Sequence, residues 1–315
     1  MIGFSSWLAP YFRRFVALKR AGGAAFDTQT KLLTQFDRFV GERTKPPLRR
    51  SDLVRYLASL ETLFPRSREN AVSVVWAALA HAQRHGARVE LLARPPAPSG
   101  SLRKRRARIV TPAEFERIFA AASELDPADG LRAATTMTLI GLLYTTGIRI
   151  GEAQTLDVGD LDVDAKIITV RRGKFGKSRL LPVRDSTIRA LQRYLVHPRR
   201  RVATEDSFPL FVSGRRHRLV HGVALKNFRS ACRLAAIPLP YPRLHDLRHS
   251  FAVGRVASWY DQGRDVDALL PILSTYLGHV SVENTRAYLA TNGLLLERAA
   301  TLFARKTSFL DEGRS

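Results

Sequence analysis

Leu32, Leu33, Phe36, Phe39 and Val40 recur at spacings of three and four behind the polar lead Asp27-Thr28-Gln29-Thr30. That spacing is one face of a helix. Leu53, Val54, Leu57 and Leu60 repeat it after Ser51, whose hydroxyl is suited to cap the helix start. Ala71, Val74, Val75, Ala78 and Leu79 stripe a third helix over 68–85. The first element assigned begins after Phe26, and the pattern predicts a small helical bundle over residues 1–93.

Residues 94–108, RPPAPSGSLRKRRAR, break the pattern. Pro95, Pro96, Pro98 and Gly100 disfavour both helix and strand. Arg103, Lys104, Arg105, Arg106 and Arg108 then follow without an acid among them. Two readings stand here: a linker that crosses a phosphate backbone, and a solvated charge run. Helical signals resume at Thr111-Pro112-Ala113-Glu114, where threonine at N-cap, proline at the first helical position and glutamate at the third make a capping box. The run Thr135 to Tyr144 is apolar and uncharged, which predicts a buried helix. Ile167-Ile168-Thr169-Val170-Arg171-Arg172 and Arg179-Leu180-Leu181-Pro182-Val183 flank Gly173-Lys174-Phe175-Gly176-Lys177, the pattern of a β-hairpin. Further helices are expected over 186–195, 221–235, 243–260, 267–277, 281–290 and 294–305. Trp259 to Asp265 reads as an inserted loop. The fold class is mainly α with one small β-hairpin or sheet.

Charge narrows the function. Lys and Arg number 51 against 28 Asp and Glu, a formal net charge of +23 over 315 residues. Residues 1–100 carry 16 basic against 7 acidic side chains and residues 101–315 carry 35 against 21, so the positive field belongs to both halves. A charge of this size points to a polyanion, with nucleic acid first. The single cysteine, Cys232, excludes an internal disulfide framework and a cysteine-based zinc finger. No apolar run is long enough for a membrane span, and the start MIGFSSWLAPYFRRF lacks a signal-peptide pattern. A cytoplasmic protein without membrane contact is the expectation.

Four short segments carry candidate chemistry. Arg149, in Thr146-Gly147-Ile148-Arg149-Ile150-Gly151-Glu152, stands between two helices; it pairs with Glu152 at helical spacing or serves a site. His245, Arg248 and His249 share a helix face. Two histidines four apart also permit a metal pair, but Asp246 stands where the glutamate base of such a motif belongs, and no third ligand accompanies them. His279 follows Leu277-Gly278, where a helix cap is the plainer reading. Tyr288 closes Asn284-Thr285-Arg286-Ala287-Tyr288 and, read singly, is a core residue.

Taken in order, Arg149, Lys174, His245, Arg248, His279 and Tyr288 resemble the tyrosine recombinase (phage integrase) family over residues 109–305. The resemblance implies a helical, SAM-like core-binding domain on 1–93, a basic linker on 94–108, and a mixed α/β catalytic domain of the DNA breaking-rejoining type on 109–290. Residues 291–315 would form a tail for subunit contact, and the two domains would close as a C-shaped clamp on DNA. It implies a site-specific recombinase acting through a 3′-phosphotyrosine intermediate, with neither metal nor ATP nor any other cofactor. Tyr288 would be the nucleophile, Arg149 and Arg248 the phosphate clamp, His245 the base, Lys174 the acid toward the leaving oxygen, with Lys177 as its substitute, and His279 a phosphate ligand or a residue that steadies the geometry. Glu152 would hold Arg149, and His249 would pack behind the site. Double-stranded DNA is the implied partner, bound by a tetramer on two duplexes or with sibling recombinases of a transposon. Arg103, Lys104, Arg105, Arg106, Arg108 and Lys177 are the expected DNA contacts. The tail stripe Leu294, Leu295, Leu296, Ala299, Leu302 and Phe303 would dock on a neighbouring subunit or pack on its own domain. Two other functions share parts of this pattern: a type IB topoisomerase, and a DNA-binding protein that keeps the fold without catalysis.

Overall fold

The computed structural model describes residues 3–23, 26–96, 107–125, 130–171, 178–200 and 208–278 of the chain. The chain divides into two compact units, Met1–Arg105 and Arg106–Ser315.

Among the described residues the first unit holds four helices: α1 (Ala9–Ala21), α2 (Asp27–Arg43), α3 (Arg50–Ser59) and α4 (Pro65–Arg84). Its core joins Phe12, Phe15, Leu33, Phe36, Val40, Tyr56, Val75 and Leu79. The Phe36 and Tyr56 rings meet edge to face at 4.7 Å, an arrangement aromatic rings favour beyond simple burial. Buried Asp37 accepts the Ser5 and Ser6 amides and the Ser6 hydroxyl, tying the start of the chain to α2. Helix α1 precedes the first element expected from sequence. Leu8, Phe12, Phe15 and Val16, at i, i+4, i+7 and i+8, are its buried stripe. Two details of α3 also differ from expectation. Arg49 is the N-cap, with its amide donating to Asp52, and Ser51 stands exposed within the first turn. Val54 is exposed and Tyr56 takes the inward place, because Leu53, Tyr56 and Leu60 define the buried face.

The second unit is built around α6 (Leu131–Thr146), which touches α5 (Pro112–Ser123), α8 (Asp185–Leu195), α9 (His221–Leu234) and α10 (Leu244–Asp261). A helix covered on most sides must hide its polar groups. Four of the five α6 threonines donate to carbonyls four residues back, Thr136 to Arg132, Thr138 to Ala134, Thr145 to Gly141 and Thr146 to Leu142, while Thr135 donates to the Val212 carbonyl. The Thr111 capping box opens α5 as expected, with reciprocal contacts to Glu114. Short α7 (Ile150–Thr155) leads through a 3-10 turn to a three-stranded antiparallel sheet of β1 (Leu161–Asp162), β2 (Ile167–Val170) and β3 (Arg179–Pro182). Leu181 faces Ile168 and Arg179 faces Val170 across β2 and β3. The last described helix is α11 (Val266–Leu277).

Trp259 to Asp265 is only partly a loop. Trp259, Tyr260 and Asp261 are the last turn of α10, and Asp265 caps α11 through the Ala268 amide. Trp259 and Tyr260 pack against the cluster of Ala252, Val253, Val256, Leu270 and Leu273 that joins α10 to α11. The helices expected over 281–290 and 294–305 lie outside the described residues.

Candidate active site

Gly147 ends α6 with a positive φ of 65°. A Cβ there would lie 2.6 Å from Phe251 and 2.8 Å from Leu277, so only glycine lets α6 stop against α10 and α11. Two residues later Arg149 caps α7, its amide donating to Glu152 at 3.1 Å and its Nη1 to the same carboxylate at 2.7 Å. The ion pair with Glu152 is therefore real. It does not use up the guanidinium, because Nη2 donates to the Gly278 carbonyl at 2.6 Å.

Helix α10 supplies His245, Arg248 and His249. Its N-terminus is fixed by buried Asp246, which accepts the Arg243 amide at 2.8 Å and pairs with the Arg243 guanidinium at 2.7 Å. Arg248 is only 1% exposed. Burying a cation is costly unless charge-stabilising partners surround it. Arg248 meets carbonyl groups at two helix ends: Nη1 donates to Gly147 at the close of α6 (2.6 Å), and Nη2 to Leu277 at the close of α11 (2.7 Å). Both ends carry the partial negative charge of a helix C-terminus.

Arg149 and Arg248 thus reach consecutive carbonyls, Gly278 and Leu277. His245 lies in their field. Its pKa is lowered by burial first, then by Arg248, Arg243 and Arg149, with Asp246 opposing. A neutral imidazole in this place is a proton acceptor. The His249 ring meets it edge to face at 4.7 Å, and His249 is itself lowered to about 4, mainly by burial and then by His245. Among the described residues no group of His, Cys, Asp and Glu is disposed to hold a metal ion.

Of the residues expected from sequence, Arg149, Arg248 and His245 are brought together. Lys174, Lys177, His279, Tyr288 and Arg103, Lys104, Arg105 and Arg106 lie outside the described residues. Arg108 is described, and its guanidinium is engaged within the second unit: it donates to the Pro238 and Pro240 carbonyls and pairs with Glu114. Arg179 was not singled out from the sequence, yet it grips both oxygens of Glu152 at 3.0 and 2.8 Å. Its signal was available: it shares the inward face of β3 with buried Leu181, an unusual place for an arginine.

The profile of the phage integrase family matches residues 108–293. The integrase/recombinase y4rE of Sinorhizobium fredii is 33% identical over 99% of this chain and 99% of its own length. A second protein of that organism, y4rB, is 39% identical over 66% of this chain and 70% of its own. Among solved structures, the Tn1549 transposon integrase in complex with transposon right end DNA shares the fold, with a TM-score of 0.63 over 94% of this chain and 99% of that one, at 17% identity.

Proposed function

Because this chain belongs to the phage integrase family, the tyrosine recombinases that cleave and rejoin DNA at specific sites, we propose that its strand transfer runs through Tyr288 with Arg149 and Arg248 on the scissile phosphate. The observation that carries this reading is the convergence of the two guanidiniums on the carbonyls of Leu277 and Gly278, directly before His279 in the chain.

The Tyr288 oxygen attacks phosphorus, the 5′-oxygen leaves, and the protein becomes joined to the 3′ end as a phosphotyrosine. A free 5′-hydroxyl later attacks that bond and restores the strand. One phosphoester replaces another, so no nucleotide is consumed. In the transition state negative charge grows on the non-bridging oxygens. Guanidiniums suit it, since they stay charged and present paired donors. A phenol with an ordinary pKa near 10 must lose its proton to react at neutral pH. His245, held neutral by burial and the neighbouring arginines, is the acceptor. Lys174, or Lys177 in its stead, donates to the leaving oxygen, and His279 binds the phosphate. Arg103, Lys104, Arg105 and Arg106 track the DNA backbone beside the site. Four chains on two duplexes, joined through residues 291–315, form the working assembly.

The test begins with a site selected from a pool of random duplex DNA by covalent capture on the wild-type chain. That site is then rebuilt with a nick beside the cleavage position, so that cleavage is trapped. The wild-type chain is expected to form the adduct in EDTA, and Tyr288→Phe to form none. Arg149→Ala and Arg248→Ala are expected to slow it by ~10²–10³, the usual loss on removing a preorganised donor. An adduct formed by Tyr288→Phe overturns the assignment of the nucleophile. A complex whose sedimentation mass holds fewer than four chains on paired sites overturns the tetramer.

A further inference from the structure

Arg179, at the start of β3, makes contacts that the strand-transfer roles do not use. Its Nη1 and Nη2 donate to the two oxygens of Glu152 in a fork, and its Nε donates to the Tyr276 carbonyl at 3.1 Å. Three arginines therefore hold three consecutive carbonyls at the close of α11: Arg179 on Tyr276, Arg248 on Leu277 and Arg149 on Gly278. A helix end leaves such carbonyls without partners inside the helix, and here each is met by a cation. Gly278 belongs to the same arrangement. Its φ is positive at 66°, and a Cβ on it would lie 3.0 Å from Nη1 of Arg179.

The contacts close a ring. Glu152 joins Arg149 to Arg179, Arg179 holds the end of α11, and that end returns through Gly278 to Arg149. The order of contacts on Glu152 matters. A carboxylate facing a single arginine frequently forms the two-point fork with it. On Glu152 the fork is taken by Arg179, while the Arg149 guanidinium touches the carboxylate through Nη1 alone. A guanidinium has five N–H donors. The single contact leaves Arg149 with donors to offer a phosphate while its orientation stays fixed.

We propose that Arg179 is a positioning residue for strand transfer: by gripping Glu152 and the end of α11, it sets the direction in which Arg149 meets the scissile phosphate. The inference rests on the reading of Arg149 as a phosphate ligand.

The experiment measures single-turnover cleavage of the selected, nicked duplex by the full chain at saturating protein, alongside the dissociation constant for the same DNA. Arg179→Ala is expected to slow cleavage by ~10², the scale of loss when a reacting group is misplaced by about an ångström. Its dissociation constant should change by less than about threefold, because binding is spread over many phosphate contacts. Arg179→Lys, which keeps the charge and loses the fork, should fall between the two, and it carries the same readouts should the alanine variant not fold. In a Glu152→Gln background Arg179→Ala should change the rate by less than about threefold, since the two act on one contact. An unchanged rate in Arg179→Ala, a loss of DNA binding equal to the loss of cleavage, or losses that multiply in the double variant would each overturn the proposal. Arg149→Ala is measured in parallel: if it cleaves at the wild-type rate, the underlying reading of Arg149 fails instead.

Discussion

Glu152 and His249 are both buried, and burial alone would push each toward its neutral form. For His249 it succeeds: burial, and then the neighbouring His245, hold its pKa at about 4. For Glu152 burial is overcome by Arg179 and Arg149, which bring it down to about 2. Both shifts act on stability with the same sign. Between pH 6.5 and 4 the unfolded chain protonates His249 and the folded one does not, so stability falls as pH drops through that window. Between pH 4.5 and 2 the unfolded chain protonates Glu152 and the folded one resists, so stability falls again. Urea midpoints measured from pH 7 to 3 should decline throughout. His249→Gln should flatten the upper part of the decline and Glu152→Gln the lower part. A midpoint that rises on going from pH 6.5 to 4 would contradict the assignment for His249.

Elements place these residues through their ends rather than their middles. The close of α6, the start of α7, the start of α10 and the close of α11 all meet at the site. Gly147 is the hinge of that meeting. Gly147→Ala should destabilise the fold by at least the ~1–3 kcal/mol of a left-handed backbone, with displacement of Phe251 and Leu277 in addition. Gly151→Ala, in open space on α7, should be neutral or stabilising by ~0.5–1 kcal/mol. Urea denaturation compares the two, and equal effects would show that the close packing around Gly147 does not matter. Helices were legible where one apolar stripe faced one core, as in α2 and α4, and where an uncharged apolar run had to be covered on most sides, as in α6. Helix α1 carries the same kind of signal, a stripe of Leu8, Phe12, Phe15 and Val16 with Arg13 and Arg14 on the exposed face and Pro10 in the first turn, yet the elements assigned from sequence begin only after it. The two-residue strand β1 is too short to have a period. The arginines and histidines of the site were legible as types in order. Glu152 was legible as the partner of Arg149 from its spacing, but the contacts of Arg149 with Gly278 and of Arg248 with Gly147 and Leu277 were not, because they are made to main-chain oxygens and no residue letter encodes them.

Across the whole molecule the basic surplus is shared between residues 1–100 and 101–315. No helix among the described residues is long and apolar enough to cross a membrane. It is DNA that this surplus matches. Binding should therefore weaken steeply with salt, with log affinity falling against log salt by about 0.9 for every phosphate neutralised. Titrations of the selected site between low and physiological ionic strength measure the slope. A slope near zero would separate the charge from DNA binding.

The grip of three arginines on the last carbonyls of α11 has a consequence for how this protein tolerates mutation. The gripped oxygens belong to the main chain, so the contacts themselves do not depend on which side chains stand at 276 and 277. Adding or deleting one residue within α11 would swing its end by about 100° and carry all three oxygens off their cations together. Helix length, more than the identity of the letters that fill it, is what this corner of the enzyme must inherit intact.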